Sequence, residues 1–178
     1  MHATDSEFER FKYFKHRTFN GYDCIYFIRS LANIYRNNGG LETIFTNSWQ
    51  QNQNMFKVLS DWYHCFTQIP AEPRVLRHIA NVDKGSACKR INMFVRWMVR
   101  KDSKGIDFGL WKNIPMAALL IPLDLHTGNV SRQLGLLKRK QNDSIAVKEL
   151  TERLREFDPT DPIRYDFALF GLGAFTKE

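Results

Sequence analysis

Apolar side chains recur three and four residues apart through most of this chain, and nowhere does an every-second-residue alternation last long enough for a half-buried strand. That periodicity narrows the fold to an all-α class. Phe8, Phe11 and Phe14 share one face of a charged segment over 5–14. After a turn at Asn20-Gly21, Ile25, Ile28, Leu31, Ala32 and Tyr35 form a stripe on a helix that Asp23 can cap and that Asn37-Asn38-Gly39-Gly40 ends. A short helix over 41–45 leads to a polar loop over 47–54. Phe56, Leu59, Tyr63 and Phe66 mark a helix over 55–69, stopped by Pro70 and Pro73. A short helix over 72–80 is followed by a strong one over 87–101, capped by Ser86 and broken at 102–105. The apolar piece 116–121 stops at Pro122. Three more helices follow: 124–137, then one from Asp143 or Ser144 to Phe157, then 163–170 closed by Gly171-Leu172-Gly173. Eight to ten mostly short helices are expected, in a single all-α domain over 1–178 divided into a part over 1–85 and a core over 86–178.

Charge bears on the partner. Lys plus Arg outnumber Asp plus Glu by 26 to 19, a net charge of +7. That balance suits a polyanion such as nucleic acid, although an incidentally basic protein fits it equally well. The three cysteines, Cys24, Cys65 and Cys88, are odd in number and widely spaced, which argues against a disulfide framework. With no C-x-x-C pair, no zinc or iron–sulfur cofactor is expected, and a reducing cytoplasm is the expected setting. The opening M-H-A-T-D-S-E-F-E-R has no apolar signal-peptide core, and no apolar run approaches a membrane span of about 20 residues.

Two segments carry the residue types that chemistry needs. In residues 85–100, Ile91, Phe94, Val95 and Met98 form the stripe expected to face the core. Lys89, Asn92, Arg96 and Arg100 are expected opposite it, near Trp97, where cations can grip phosphates. A solvated face with snorkelling arginines explains the same pattern. Lys89 falls in the first turn, whose positive helix end disfavours an ammonium and so favours an amine nucleophile. In I-P-L-D-L-H-T-G-N-V-S-R-Q-L-G-L, residues 121–136, Asp124 stands at a helix start with Val130, Leu134 and Leu137 turned to a core. An N-cap role accounts for it, and the same placement keeps an ionised carboxylate ready to stabilise a cationic transition state or move a proton. His126 is a possible partner. Asp158, Asp161 and Asp166 read as turn and capping residues rather than a calcium loop.

The segment around Asp124 resembles the catalytic-aspartate region of the helix–hairpin–helix DNA glycosylases, the superfamily of endonuclease III. The chain as a whole is similar to an uncharacterised bacterial family with four signatures: S-A-C-K-R-x-N-M-F-x-R-W-M-V-R, D-F-G-L-W, I-P-L-D-x-H-T and F-D-P-x-D-P-x-x-Y-D-F. Together these cover about residues 86–173, and H-R-T-F-N-G at 16–21 fits as well. That family is expected to have further helices before this chain's start. The superfamily's usual L-P-G-V-G hairpin, with its lysine some 18 residues before the aspartate, is absent; Ile106 holds that position. The archaeal oxidised-guanine glycosylases, whose lysine lies on an earlier helix, are nearest in pattern. The resemblance implies a glycosylase-like core over 86–178 acting on duplex DNA, damaged DNA included, with Lys89 as nucleophile and Asp124 and His126 beside it. It makes Arg90, Arg96, Arg100, Lys138, Arg139 and Lys140 phosphate contacts, and Trp97 or Trp111 a stacking platform. A non-catalytic nucleic-acid-binding module, or a helical interaction protein, on the same scaffold are the alternatives.

Overall fold

A computed structural model describes residues 5–102 and 105–175; residues 1–4 of the polar opening, and two residues of the expected break at 102–105, lie outside them. The described chain is mostly helical, as the periodicity predicts. Its helices are α1 (Asp5–Phe8), α2 (Gly21–Asn37), α3 (Leu41–Asn52), α4 (Met55–Phe66), α5 (Pro73–Leu76), α6 (Lys89–Val99), α7 (Leu125–Gln133), α8 (Ser144–Phe157) and α9 (Asp166–Phe175). Single 3-10 turns occupy Glu9–Phe11, Val82–Lys84, Met116–Ala118 and Pro162–Tyr165. One cluster of buried side chains, from Tyr26 through Phe45, Leu59, Val95 and Ile121 to Leu169, draws on α2, α3, α4, α6, α8 and α9.

Several local expectations are corrected. The segment 5–14 is one helical turn and a 3-10 turn, and a two-residue hairpin follows: β1 (Lys15–His16) against β2 (Phe19–Asn20). Asn20, not Asp23, caps α2. Its side chain accepts from the N–H groups of Tyr22 and Asp23, while Asp23 accepts from the Asn20 N–H in return, a reciprocal capping box. The buried face of α2 runs through Tyr26, Ser30 and Ile34, and Tyr35 is exposed. The polar segment 47–54 continues α3 as far as Asn52. Ser48 is buried and its hydroxyl donates to Asp61 at 2.6 Å, so a polar residue serves an inward position there. Leu134 is exposed, because α7 ends at Gln133 before the pattern does.

α9 departs furthest. It begins after a 3-10 turn and runs through Gly171 and Gly173, so these glycines sit inside the helix and do not close it. Gly173 faces α7 so closely that a Cβ would stand 2.9 Å from the carbonyl oxygen of His126 and 3.0 Å from Val130 Cγ2. The small residue is what lets the two helices meet.

Candidate functional site

Helix α6 starts after a tight turn. The Asn81 side chain accepts from the Asp83 N–H, Gly85 takes φ 80°, and Cys88, the residue before Lys89, is left-handed at φ 49°. Ser86, expected to cap this helix, lies two residues before the cap position, which Cys88 takes, and accepts from the Cys88 N–H at 3.2 Å. Lys89 is therefore the first residue of α6.

Helix α7 starts at an extended Asp124, as its position after Ile121-Pro122-Leu123 predicts. Its Oδ1 accepts from the Thr127 N–H at 2.8 Å, the N-cap bond. Its other oxygen, Oδ2, accepts from Lys89 Nζ, also at 2.8 Å. Lys89 and Asp124 are 35 residues apart in sequence, and the fold brings their charged ends into direct contact.

The start of α8 joins them. Ser86 bridges to Asp143, the cap of α8, and the Ser144 N–H donates to the carbonyl of Gly85 at 3.0 Å. Asn142 donates through Nδ2 to the carbonyl of Asp124 at 3.0 Å. Three helix N-termini thus lie side by side, and the positive ends of α7 and α8 are met by the carboxylates of Asp124 and Asp143 that cap them.

Burial pushes Asp124 up, but the hydrogen bonds from Lys89 and the Thr127 N–H outweigh it and hold its carboxyl below the ordinary aspartate range. The Lys89 side chain is 45% exposed and that of Asp124 12%, so solvent or a ligand reaches the pair from the lysine side. Behind it, Asp166 is raised to about 6 by burial, against the pull of Arg96.

The other predicted residues divide. His126 does not join the pair through any hydrogen bond described; its Nδ1 bonds the carbonyl of Gly173 at 2.9 Å and its ring packs edge-on to Phe170, so it fastens α9 to α7. Arg90, Lys138 and Lys140 are exposed. Arg139 is partly buried and engages Asp143 through both Nε and Nη2. Trp97 is partly exposed.

Arg96, Arg100 and Trp111 correct the expectation of DNA contacts. The Arg96 side chain is 1% exposed, with Nε and Nη2 on Asp107 at 3.2 Å and Nη1 on Asp166 at 2.5 Å. Arg100 grips Asp161 through Nε and Nη2 and bonds Asp102 and Asp107 through Nη1. Both guanidiniums point inward to carboxylates from the 102–107 and 161–166 segments, so neither has an end left for phosphate. Trp111 is 6% exposed and packs on Phe45 and Phe94 in the core.

Sequence reasoning missed two contributors. Asn142 looked like one polar residue of a basic loop, and no local pattern marks it. A recess between α2, α4 and α6, with Lys89 in its lining, is built from residues 27–94, mostly ahead of the stretch that carries the motifs. Among the described residues, no group of three His, Cys, Asp or Glu is placed to hold a metal ion, and no helix is long and apolar enough to cross a membrane.

An all-α protein with a lysine–aspartate pair where helix starts converge is the class that this fold and site define. Over residues 1–175 the chain matches the family described as Protein of unknown function (DUF2400), and it belongs to that family. No curated protein and no solved structure matches it.

Proposed function

We propose that this protein acts on DNA as a base-excision enzyme of the helix–hairpin–helix glycosylase type, with an accompanying abasic-site lyase activity. The observation that carries the reading is the 2.8 Å contact between Lys89 Nζ and Asp124 Oδ2, made by the two residues that the resemblance singles out. Two further features support it. The superfamily's hairpin precedes its lysine, and here α5 and α6 flank a turn with a left-handed Gly85 four residues before Lys89. The basic loop holding Lys138 and Lys140 is tied through Asn142 to Asp124, so its charge sits beside the pair.

The chemistry follows from the contact. A base must leave the helical stack to be reached. Lys89 passes a proton to Asp124, and the neutral amine attacks the sugar's anomeric carbon. The glycosidic bond breaks, its electron pair leaves with the base, and Asp124 returns the proton to that base. Ionised again, Asp124 faces the positive charge now carried by the Lys89 nitrogen bonded to the sugar. Opening of the sugar ring then breaks the bond from the anomeric carbon to the ring oxygen, which takes up a proton given up by the Lys89 nitrogen, and leaves a protonated Schiff base on Lys89.

Borohydride reduces such a Schiff base to a stable amine, so incubation with abasic duplex DNA and borohydride should give a covalent protein–DNA adduct that Lys89→Ala abolishes. An adduct that persists in Lys89→Ala removes the lysine from its role. Salt-dependent duplex binding without any adduct leaves a nucleic-acid-binding module. No binding at all leaves a helical interaction protein.

A further inference from the structure

The recess between α2, α4 and α6 has a volume of about 550 Å³ and aromatic walls from Phe27, Trp62, Phe66 and Phe94, with Lys89 in its lining. That is the size and character of a small-molecule pocket: mostly apolar, with few polar groups. His78 is the polar ring in this lining, and it is set from behind. Its Nε2 lies 3.4 Å from Oδ2 of Asp23, a carboxylate with no exposed side-chain surface.

Asp23 is itself held on both oxygens. Oδ2 accepts from the Asn20 N–H at 2.8 Å, and Oδ1 accepts from Arg74 Nη2 at 2.8 Å. Phe19 packs edge-on against the His78 ring, with centroids 5.2 Å apart, and also against Phe27. H-R-T-F-N-G therefore supplies, in Phe19 and Asn20, the two residues that wedge the ring and brace its carboxylate. A fixed carboxylate near Nε2 favours the tautomer with its proton there and leaves Nδ1 as the acceptor.

We propose that this recess receives the extruded base and that His78, positioned by Asp23, is the side chain that reads it, accepting an N–H on the base edge while the aromatic walls take its faces. The proposal rests on the glycosylase reading above. It assigns a substrate-facing role to residues of the N-terminal half, where that reading uses only Lys89, Asp124 and the basic loop. A planar heteroaromatic ring with an N–H on its edge is the class of ligand such a pocket takes, since stacking accepts any base and a single directed acceptor chooses among them.

The test compares two reactions of the full chain. Trapping on a pre-formed abasic duplex needs the lysine chemistry but no base. Single-turnover release of a base from duplexes carrying 8-oxoguanine, hypoxanthine or uracil needs the recess as well. For His78→Leu, the ratio of base release to abasic trapping should fall by at least about tenfold, the size of one hydrogen bond removed from a closed site. The order of preference among the three bases should change too. His78→Gln, which keeps an acceptor, should recover part of the ratio, and it decides the question if His78→Leu fails to fold. An unchanged ratio and an unchanged order in both variants overturn the assignment of His78. A wild-type protein that forms no abasic adduct overturns the glycosylase reading itself, and this proposal with it.

Discussion

Gly171 and Gly173 stand two residues apart in α9, and alanine at each should act with opposite sign. A helical Gly→Ala change gains about 0.5–1 kcal/mol, because alanine loses less backbone freedom on folding. At Gly171 nothing lies within 4 Å of the new Cβ, so the gain stands alone. At Gly173 the Cβ would lie 2.9 Å from the His126 carbonyl oxygen and 3.0 Å from His126 Cβ and Val130 Cγ2. The obstacle includes the backbone of α7, which cannot swing aside like a side-chain tip. Overpacking of this kind costs about 1–3 kcal/mol, so Gly173→Ala should destabilise by about 0.5–2 kcal/mol after the helical gain is subtracted. The two variants should thus differ by roughly 1–3 kcal/mol. Urea unfolding followed by far-UV circular dichroism reads the difference as a shift in midpoint at constant slope. If both variants are stabilised alike, α9 is not seated on α7 and the contact between His126 and Gly173 does not form in solution.

Three further outcomes are expected. Asp124→Ser keeps a good N-cap and removes the carboxylate, so stability should change by less than about 1 kcal/mol while borohydride trapping disappears; retained trapping would take Asp124 out of the chemistry. Asp166, raised to about 6 in the folded protein, holds a proton that the unfolded chain has released between about pH 4 and 6. Its contribution is therefore fully present below about pH 4 and lost as pH rises through about 6, on the order of 2–3 kcal/mol at most. Asp166→Asn should flatten that decline, and urea midpoints that run parallel to wild type across this window would contradict it. Replacing Lys138 and Lys140 together by alanine should lower the salt slope of duplex binding by about 0.9 for each phosphate no longer neutralised, and an unaltered slope would place both away from the DNA.

The helical class was legible because most long apolar runs keep a single period, and α4, α6 and α8 lie where that period puts them. The Asp124 cap was legible for a local reason: proline, aspartate and a following helix are neighbours in sequence. The inward face of α6 was read in part. Val95 is buried as expected, but Asn92 and Arg96 are buried too: Asn92 donates to the carbonyl of Ala87, and the Arg96 guanidinium meets carboxylates from other segments that no window of sequence shows. Polar residues in buried places misled elsewhere in the same way, at Ser30 in α2 and Ser48 in α3. The glycines of α9 looked like a stop signal because composition does not tell a glycine that ends a helix from one that lets a second helix approach. The aromatic recess stayed hidden because its walls come from segments that form one surface only after folding.

The buried arginines have a consequence for how this protein can be made. Arg96 reaches Asp166 across 70 residues of sequence, and Arg100 reaches Asp161 across 61. A chain emerging from a ribosome exposes Lys89 and Asp124 well before the carboxylates that let the far end of α6 settle into the interior. Until those arrive, the two guanidiniums have only Asp107 and Asp102 to share, Arg96 Nη1 and the Nε–Nη2 edge of Arg100 lack their acid partners, and an incompletely matched buried charge holds a structure open. Fragments ending before Asp161 should therefore be unfolded rather than weakly active, and in this protein the lysine–aspartate pair is a late product of synthesis.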